Sequence, residues 1–289
     1  MLTYAMNWIN TNILLLCMTA SPVAASSTQL LTFDWEDINT REVVRWEGDT
    51  AIVQHGSTMQ NLSCKIKLDT KDIEAAIESY GIPKSWPSIT YTDKADLQKQ
   101  QKAIQQKASR HGIKMDDNMD KYIVDYKWVI NQSTRKLRDV AKTIRSEARR
   151  NGYRSRRELV GAFASFVQSL DYKIPPDRRQ NEDGEEILTV GAMVPLDVLS
   201  KQWGDCDSKS MLFASLVQSI DLVDVVFIVM KEHLFAAVDL RPEKDDQSIL
   251  HNRDDWVLIE LTDAWPIGRV PEKHIDSITK NKFDIFDLN

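Results

Sequence analysis

Between Leu30 and about Ile89, apolar and polar residues alternate in short runs such as "LLTFDW", "EVVRW" and "TAIVQ". A period of two puts every second side chain on one face, so these runs predict short, half-buried strands. In "SCKIKL" the same alternation groups Cys64 with Ile66 and Leu68, as a small buried hydrophobe would be. "KDIEAAIESYG" predicts a helix within this stretch, ended by Gly81 and Pro83. From Asp93 to Arg150 the spacing turns helical and the composition rich in Lys, Gln and Arg, which predicts two or three amphipathic helices. Leu137, Val140, Ala141, Ile144 and Ala148 make the apolar stripe of the last one, and the basic residues of "RKLRDVAKTIRSEARRNGYRSRR" make its solvated face. "SRRELVGAFASFVQSL" predicts another helix, capped by Ser155 with Glu158 three residues on.

Towards the C-terminus the chain changes character again. "IPPDRRQNEDGEEI" reads as a long polar loop of the kind that serves as a lid or binding loop. "VPLDVLSKQ" predicts a short helix from its Pro195 start. Gly204 then breaks the chain, and Asp207 or Ser208 can cap a second helix, "SKSMLFASLVQSI", with Leu212, Leu216 and Ile220 as its buried stripe. "VVFIVM" is continuously apolar, as a strand covered on both faces would be. "HLFAAVDL" and "WVLIEL" read as two further strands, joined by the polar loop "RPEKDDQSILHNRDD".

Length and composition set the bounds. With 289 residues, 42% of them hydrophobic, the chain can bury a substantial core. A net charge of -6 gives no reason to expect a nucleic-acid partner. At the N-terminus "ILLLCMTA" followed by "SPVAASS" reads as an export signal cleaved after Ala25, although no Lys or Arg precedes Ile13. The apolar run falls short of the about 20 residues a membrane-spanning helix needs, so no membrane span is expected after cleavage. Leu16 before Cys17 argues against a lipoprotein signal. A periplasmic or secreted protein is the expectation, and its two remaining cysteines, Cys64 and Cys206, are expected to be free thiols rather than a disulfide.

Cys206 stands between two aspartates at a helix start, in "QWGDCDSKSMLFASLVQS". The helix dipole favours a thiolate there, while Asp205 and Asp207 disfavour it unless they cap backbone N–H groups. A thiolate in this place needs a cationic partner. Of the histidines at 55, 111, 233, 251 and 274, His233 opens a strand directly after a buried one. Glu260 interrupts the apolar run "WVLIELT" on the face of Trp256 and Leu258, and a carboxylate in such a run needs a partner. Cys206, His233 and Glu260 thus follow one another as nucleophile, base and orienter. No CxxC, HExxH, GxSxG, glycine-rich phosphate loop or dinucleotide fingerprint occurs. Cys206 and His233 supply too few ligands for structural zinc, so neither a metal nor a cofactor is expected.

The order of a helix with Cys, a strand with His and a strand with an acid resembles the transglutaminase-like superfamily of papain-type folds. The likeness is closest to its bacterial members, whose "GDC" turn is here Gly204-Asp205-Cys206. "FVQSLDYKIPP" resembles the helix and tyrosine before that family's core, "HLFAAV" its histidine strand and "ELTDAWPIG" its closing segment. The resemblance covers roughly Ser155 to Val270. Where the family usually has Asp, this chain has Glu260, with Asp263 in the next turn as the fallback orienter.

The resemblance implies an α+β fold in which a Cys-bearing helix packs on an antiparallel sheet. On that reading the chain divides into a signal peptide (1–25), a strand-rich region (26–92), a helical extension (93–150) and the transglutaminase-like core (151–289). It also implies acyl transfer through a thioester at Cys206, with His233 as acid and base, Glu260 fixing its tautomer, and helix-start N–H groups as oxyanion donors. Gln202 or Trp203 is a further candidate donor. Hydrolysis is favoured over cross-linking, and the compartment suggests protein or peptidoglycan amides as substrates. The rival reading is a binding or scaffold module that keeps the fold without turnover.

Overall fold

The computed structural model describes residues 27–39, 41–47, 50–56, 60–116 and 121–288. The expected export signal lies outside them. The described chain opens with β1 (Thr28–Asp37), the hairpin of β2 (Arg41–Glu47) and β3 (Thr50–Gly56), and β4 (Gln60–Asp69). β1 and β4 pair antiparallel from Thr28 opposite Asp69 to Asp37 opposite Gln60. Phe33 and Trp35 on β1, and Leu62, Cys64, Ile66 and Leu68 on β4, are buried while their neighbours face solvent, as the alternation predicts. α1 (Thr70–Ser79) is capped by the Asp69 side chain and is followed by Gly81 at φ +93°. A side chain at Gly81 would meet Ile187 at 2.7 Å, so both the turn and the close approach require glycine there.

After β5 (Ile82–Pro83), the basic stretch forms two helices, α2 (Lys94–Ala108) and α3 (Tyr126–Arg150), around the short antiparallel pair β6 (Ile113–Met115) and β7 (Tyr122–Val124). All five residues of the predicted α3 stripe are buried. α4 (Arg156–Gln168) begins with the expected Ser155–Glu158 capping box. β8 (Asp171–Tyr172) leads into the stretch read as a long polar loop, most of which is instead a hairpin. β9 (Arg178–Gln180) and β10 (Glu186–Leu188) pair there, and β5 joins them on the far edge of β10. That hairpin carries mostly polar residues, so alternation gives little sign of it.

The remaining elements build the layer that carries Cys206. α5 (Pro195–Lys201) is followed by β11 (Trp203–Gly204), which pairs parallel with β8, and by α6 (Cys206–Gln218). α6 is buried all round from Ser208 to Val217 rather than along one stripe, because α3, α4 and α5 surround it on the sides away from the sheet. Then come β12 (Val225–Val229), β13 (Leu234–Val238), β14 (Ser248–His251), β15 (Asp254–Ile259), α7 (Glu272–Thr279) and β16 (Asp284–Asp287). The strands form one antiparallel sheet in the order β14-β15-β13-β12-β16. β14 occupies the predicted polar loop; Asn252 and Arg253, both at positive φ, make the tight turn into β15.

The fold is therefore mixed α+β, with seven α-helices and several antiparallel sheets among the described residues. Strand alternation sorts the main sheet's side chains onto two faces. Val225, Phe227, Ala236, Val238, Val257 and Ile259 join the large core under α6, and that core continues to Phe33 and Ile66 near the N-terminus. Val226, Ile228, Phe235, Ala237, Trp256 and Leu258 face the smaller core closed by Ile278 of α7. No helix among the described residues is long and apolar enough to cross a membrane.

A buried carboxylate fastens the N-terminal ribbon to this core. Asp37 Oδ1 accepts from the Asn39 side chain (2.6 Å) and from Ser165 Oγ (3.1 Å), and its Oδ2 accepts from Tyr153 Oη (2.6 Å). Asn39 Oδ1 in turn accepts the Ile267 N–H at 2.8 Å. Gly161 leaves the room this requires, since a Cβ there would lie 2.9 Å from Asn39 Nδ2. Helix propensity alone would make Gly161→Ala stabilising by about 0.8–1 kcal/mol. The crowding of buried Asn39 reverses that sign, and a loss of roughly 1–3 kcal/mol is expected in urea denaturation. A gain in stability would show that Asn39 can give way.

Candidate active site

Cys206 is the first residue of α6. The N-cap is Asp205, not Asp207 or Ser208, and its Oδ1 accepts the Ser208 N–H at 3.0 Å. Ser208 Oγ accepts the Met193 N–H at 2.9 Å, tying the preceding loop to the helix start. Gly204 meets this first turn closely: a Cβ on it would lie 3.1 Å from Ser208 Cβ. The "GDC" sequence thus has a local reason at each position: contact at Gly204, a cap at Asp205, and a thiol on the first helical residue.

His233 and Glu260 approach the same end of the sheet from two strands. His233 closes the β12–β13 turn, where its carbonyl accepts the Met230 N–H at 2.8 Å. Glu260 follows the last residue of β15, so both lie just beyond the strands in which the sequence pattern put them. His233 Nε2 is 2.8 Å from Glu260 Oε2. The other oxygen, Oε1, accepts from the Thr262 N–H (2.7 Å) and Thr262 Oγ1 (2.6 Å). Glu260 is 1% exposed, whereas Asp263 is exposed and bonds the Ala264 N–H. The carboxylate that meets His233 is therefore Glu260.

The backbone N–H of Leu234, the residue after His233, lies close enough to the Cys206 sulfur to favour its thiolate. Its own contact is with Asp207 Oδ1 at 3.5 Å. Asp207 Oδ2 accepts from Tyr126 Oη at 2.9 Å, and the Tyr126 ring stands edge-on between Phe227 and Phe286. Burial, then the Asp207 and Asp205 carboxylates, push the thiol well above its usual range, and the Leu234 N–H pulls it back only in part. Burial raises Asp207 as well, against the Tyr126 hydrogen bond that lowers it. Glu260 goes the other way: its bonds to His233 and Thr262 outweigh the penalty of burial and hold it below the usual carboxylate range. The surroundings of Cys206 thus favour the thiol over the thiolate, while Glu260 orients the His233 ring.

Three contributors escaped sequence reasoning. Tyr126 comes from the helical extension, 80 positions upstream of Cys206, and no local pattern marks it. Thr262 follows the apolar strand like an ordinary turn residue. His274, on α7, stacks on His233 with ring centroids 4.8 Å apart, and its Nε2 is buried with no hydrogen-bond partner. His111 bonds the Ser79 carbonyl and His251 bonds Asp287, so neither serves this site. Cys64 and Cys206 are both free, and burial pushes the Cys64 thiol up to about 11. Among the described residues no group of three or more His, Cys, Asp or Glu is placed to hold a metal ion.

The cap residue carries a strain that can be measured. Burial, followed by the Asp207 charge, pushes Asp205 up to about 6. Its folded pKa lies above its unfolded one, so stability is lost as pH rises through that interval, and the ionised form costs on the order of 2–3 kcal/mol above it. Asparagine caps equally well and carries no charge. Asp205→Asn is therefore expected to raise Tm at pH 8 and to leave it nearly unchanged at pH 4, checked by thermal denaturation across pH. A Tm gain of the same size at both pH values would contradict a charge effect.

Compared with models of known protein families, with curated proteins and with solved structures, the chain matches none.

Proposed function

We propose that this protein is an exported cysteine-dependent acyl-transfer enzyme that cleaves amide bonds through a thioester, with Cys206 as nucleophile, His233 as acid and base, and Glu260 as orienter. The observation that carries the reading is the 2.8 Å hydrogen bond from His233 to a fully buried Glu260, with Leu234, the residue after His233, close to the Cys206 sulfur. A carboxylate on Nε2 keeps the proton there and leaves Nδ1 as the free base. The resemblance to transglutaminase-like proteins at Gly204-Asp205-Cys206 supports the same roles.

The chemistry follows from those positions. Nδ1 of His233 takes the thiol proton as Sγ bonds to the amide carbonyl carbon. The resulting oxyanion meets the N–H groups of Cys206 and Asp207, which have no acceptor within the helix. The imidazolium then protonates the amide nitrogen as the C–N bond breaks, and the amine leaves a thioester. His233 next takes a proton from water, whose oxygen attacks the thioester carbon and releases the acid, and the proton returns to sulfur. Hydrolysis is favoured because water prevails unless an amine is held in its place. Protein or peptidoglycan amides remain the expected substrates.

A second reading has an observation of its own. The Asp205 and Asp207 carboxylates beside the thiol suit a module that keeps the fold without turnover. Alkylation by iodoacetamide separates the two without a known substrate. In the wild type Cys206 is expected to react at least tenfold faster than Cys64 near neutral pH. His233→Ala and Glu260→Gln should remove that advantage, while Asp263→Asn should leave it. With a substrate in hand, Glu260→Gln should lower turnover on the order of the ~10⁴-fold loss known for an orienting aspartate. Equal labelling of the two thiols, or a Cys206 rate indifferent to His233→Ala, would favour the inactive module.

A further inference from the structure

Two buried polar side chains beside the site take no part in the chemistry above. Lys209 lies one turn along α6 from Cys206 and is 0% exposed. A buried ammonium is costly unless it is hydrogen-bonded and faces opposite charge. Its Nζ donates to the carbonyls of Leu170 (2.8 Å) and Gln168 (3.3 Å) at the end of α4, where carbonyls lack helical partners and the dipole is negative. Gln168 reaches the other way: its Nε2 donates to the carbonyls of Glu260 and Trp265, both at 2.7 Å. The end of α4 thus holds the nucleophile helix on one side and the backbone of Glu260 on the other.

The charges around Lys209 point the same way. Burial pushes it down to about 8, and the carboxylates of Glu260, Asp171 and Asp263, from the end of β15, from β8 and from the turn that follows Glu260, all favour its charged form. Around Glu260 stand His233 and Thr262, and both Tyr172 and His274 lie within reach of its charge. Neither oxygen of Glu260 is bonded to Lys209; the groups that hold Glu260 below the usual carboxylate range are His233 and Thr262.

We propose that Lys209 and Gln168 are positioning residues: a clamp at the end of α4 that sets the Cys206 helix against the Glu260 strand end. This deepens the acyl-transfer reading and rests on it for its effect on Cys206.

The test uses the full chain. Lys209→Gln keeps a donor for the two carbonyls, Lys209→Met removes it, and Gln168→Met removes the bonds to the Glu260 and Trp265 carbonyls. Lys209→Gln is expected to keep the plateau of Cys206 alkylation close to that of the wild type, while Lys209→Met and Gln168→Met should each lower it severalfold. If Lys209→Met fails to fold, Gln168→Met carries the test. An unchanged plateau in the Met variants, with only Tm lowered, would overturn the clamp. If the Met variants lower the plateau while His233→Ala leaves Cys206 alkylation untouched, the clamp stands and the acyl-transfer reading fails.

Discussion

A carboxylate buried to 1% exposure must have both oxygens satisfied, and Glu260 is built into the protein on that condition. Thr262 occupies one oxygen through two donors, which leaves the other directed at His233. The requirement propagates outward. His233 must sit in the β12–β13 turn to reach it, Gln168 holds the Glu260 backbone, and Lys209 brings a cation into the same low-dielectric space. A side chain that elsewhere would be a liability instead fixes the relative placement of a helix start, a hairpin turn and a strand end.

Asp37 repeats the principle at the other end of the core. Its two oxygens gather donors from Asn39 just past β1, from Tyr153 between α3 and α4, and from Ser165 of α4, and Asn39 carries the connection on to Ile267. Ile267 lies a few residues past Glu260, so the segment that closes the site is anchored to the N-terminal ribbon. Tyr126 gives the helical extension a similar hold on Asp207. The stretches that composition sets apart share one apolar core and reach the residues around Cys206 through buried hydrogen bonds.

The environment of Cys206 shows two electrostatic demands in opposition. A helix start and the Leu234 N–H favour a thiolate, while burial and two carboxylates favour the thiol, and the second set is stronger. Asp205 accounts for its place by capping α6, at the cost of a raised pKa of its own. Asp207 is held by Tyr126 and faces the sulfur directly. On the acyl-transfer reading proposed above, a base that takes the proton as sulfur attacks would therefore matter more than a thiolate formed in advance.

Much of this was legible along the chain. Alternation in "SCKIKL", the α3 stripe, the Ser155–Glu158 box and the continuous apolar β12 each follow from side-chain periodicity, which acts locally and needs no partner to be read. Cys206, His233 and Glu260 could be singled out because each breaks a local pattern: a thiol at a polar turn, a histidine at a strand start, an acid in an apolar run. What escaped was whatever depends on a distant surface. β9, β10 and β14 are short runs set in mostly polar stretches, and they form because a neighbour offers backbone partners. α6 is buried on all sides because three helices close over it, although its serines and Lys209 suggest an exposed face. The sequence determined the elements and the exceptional residues within them. The tertiary structure decided which exceptions meet, since the cost of burying a charge is settled only by the groups that folding brings within hydrogen-bond reach.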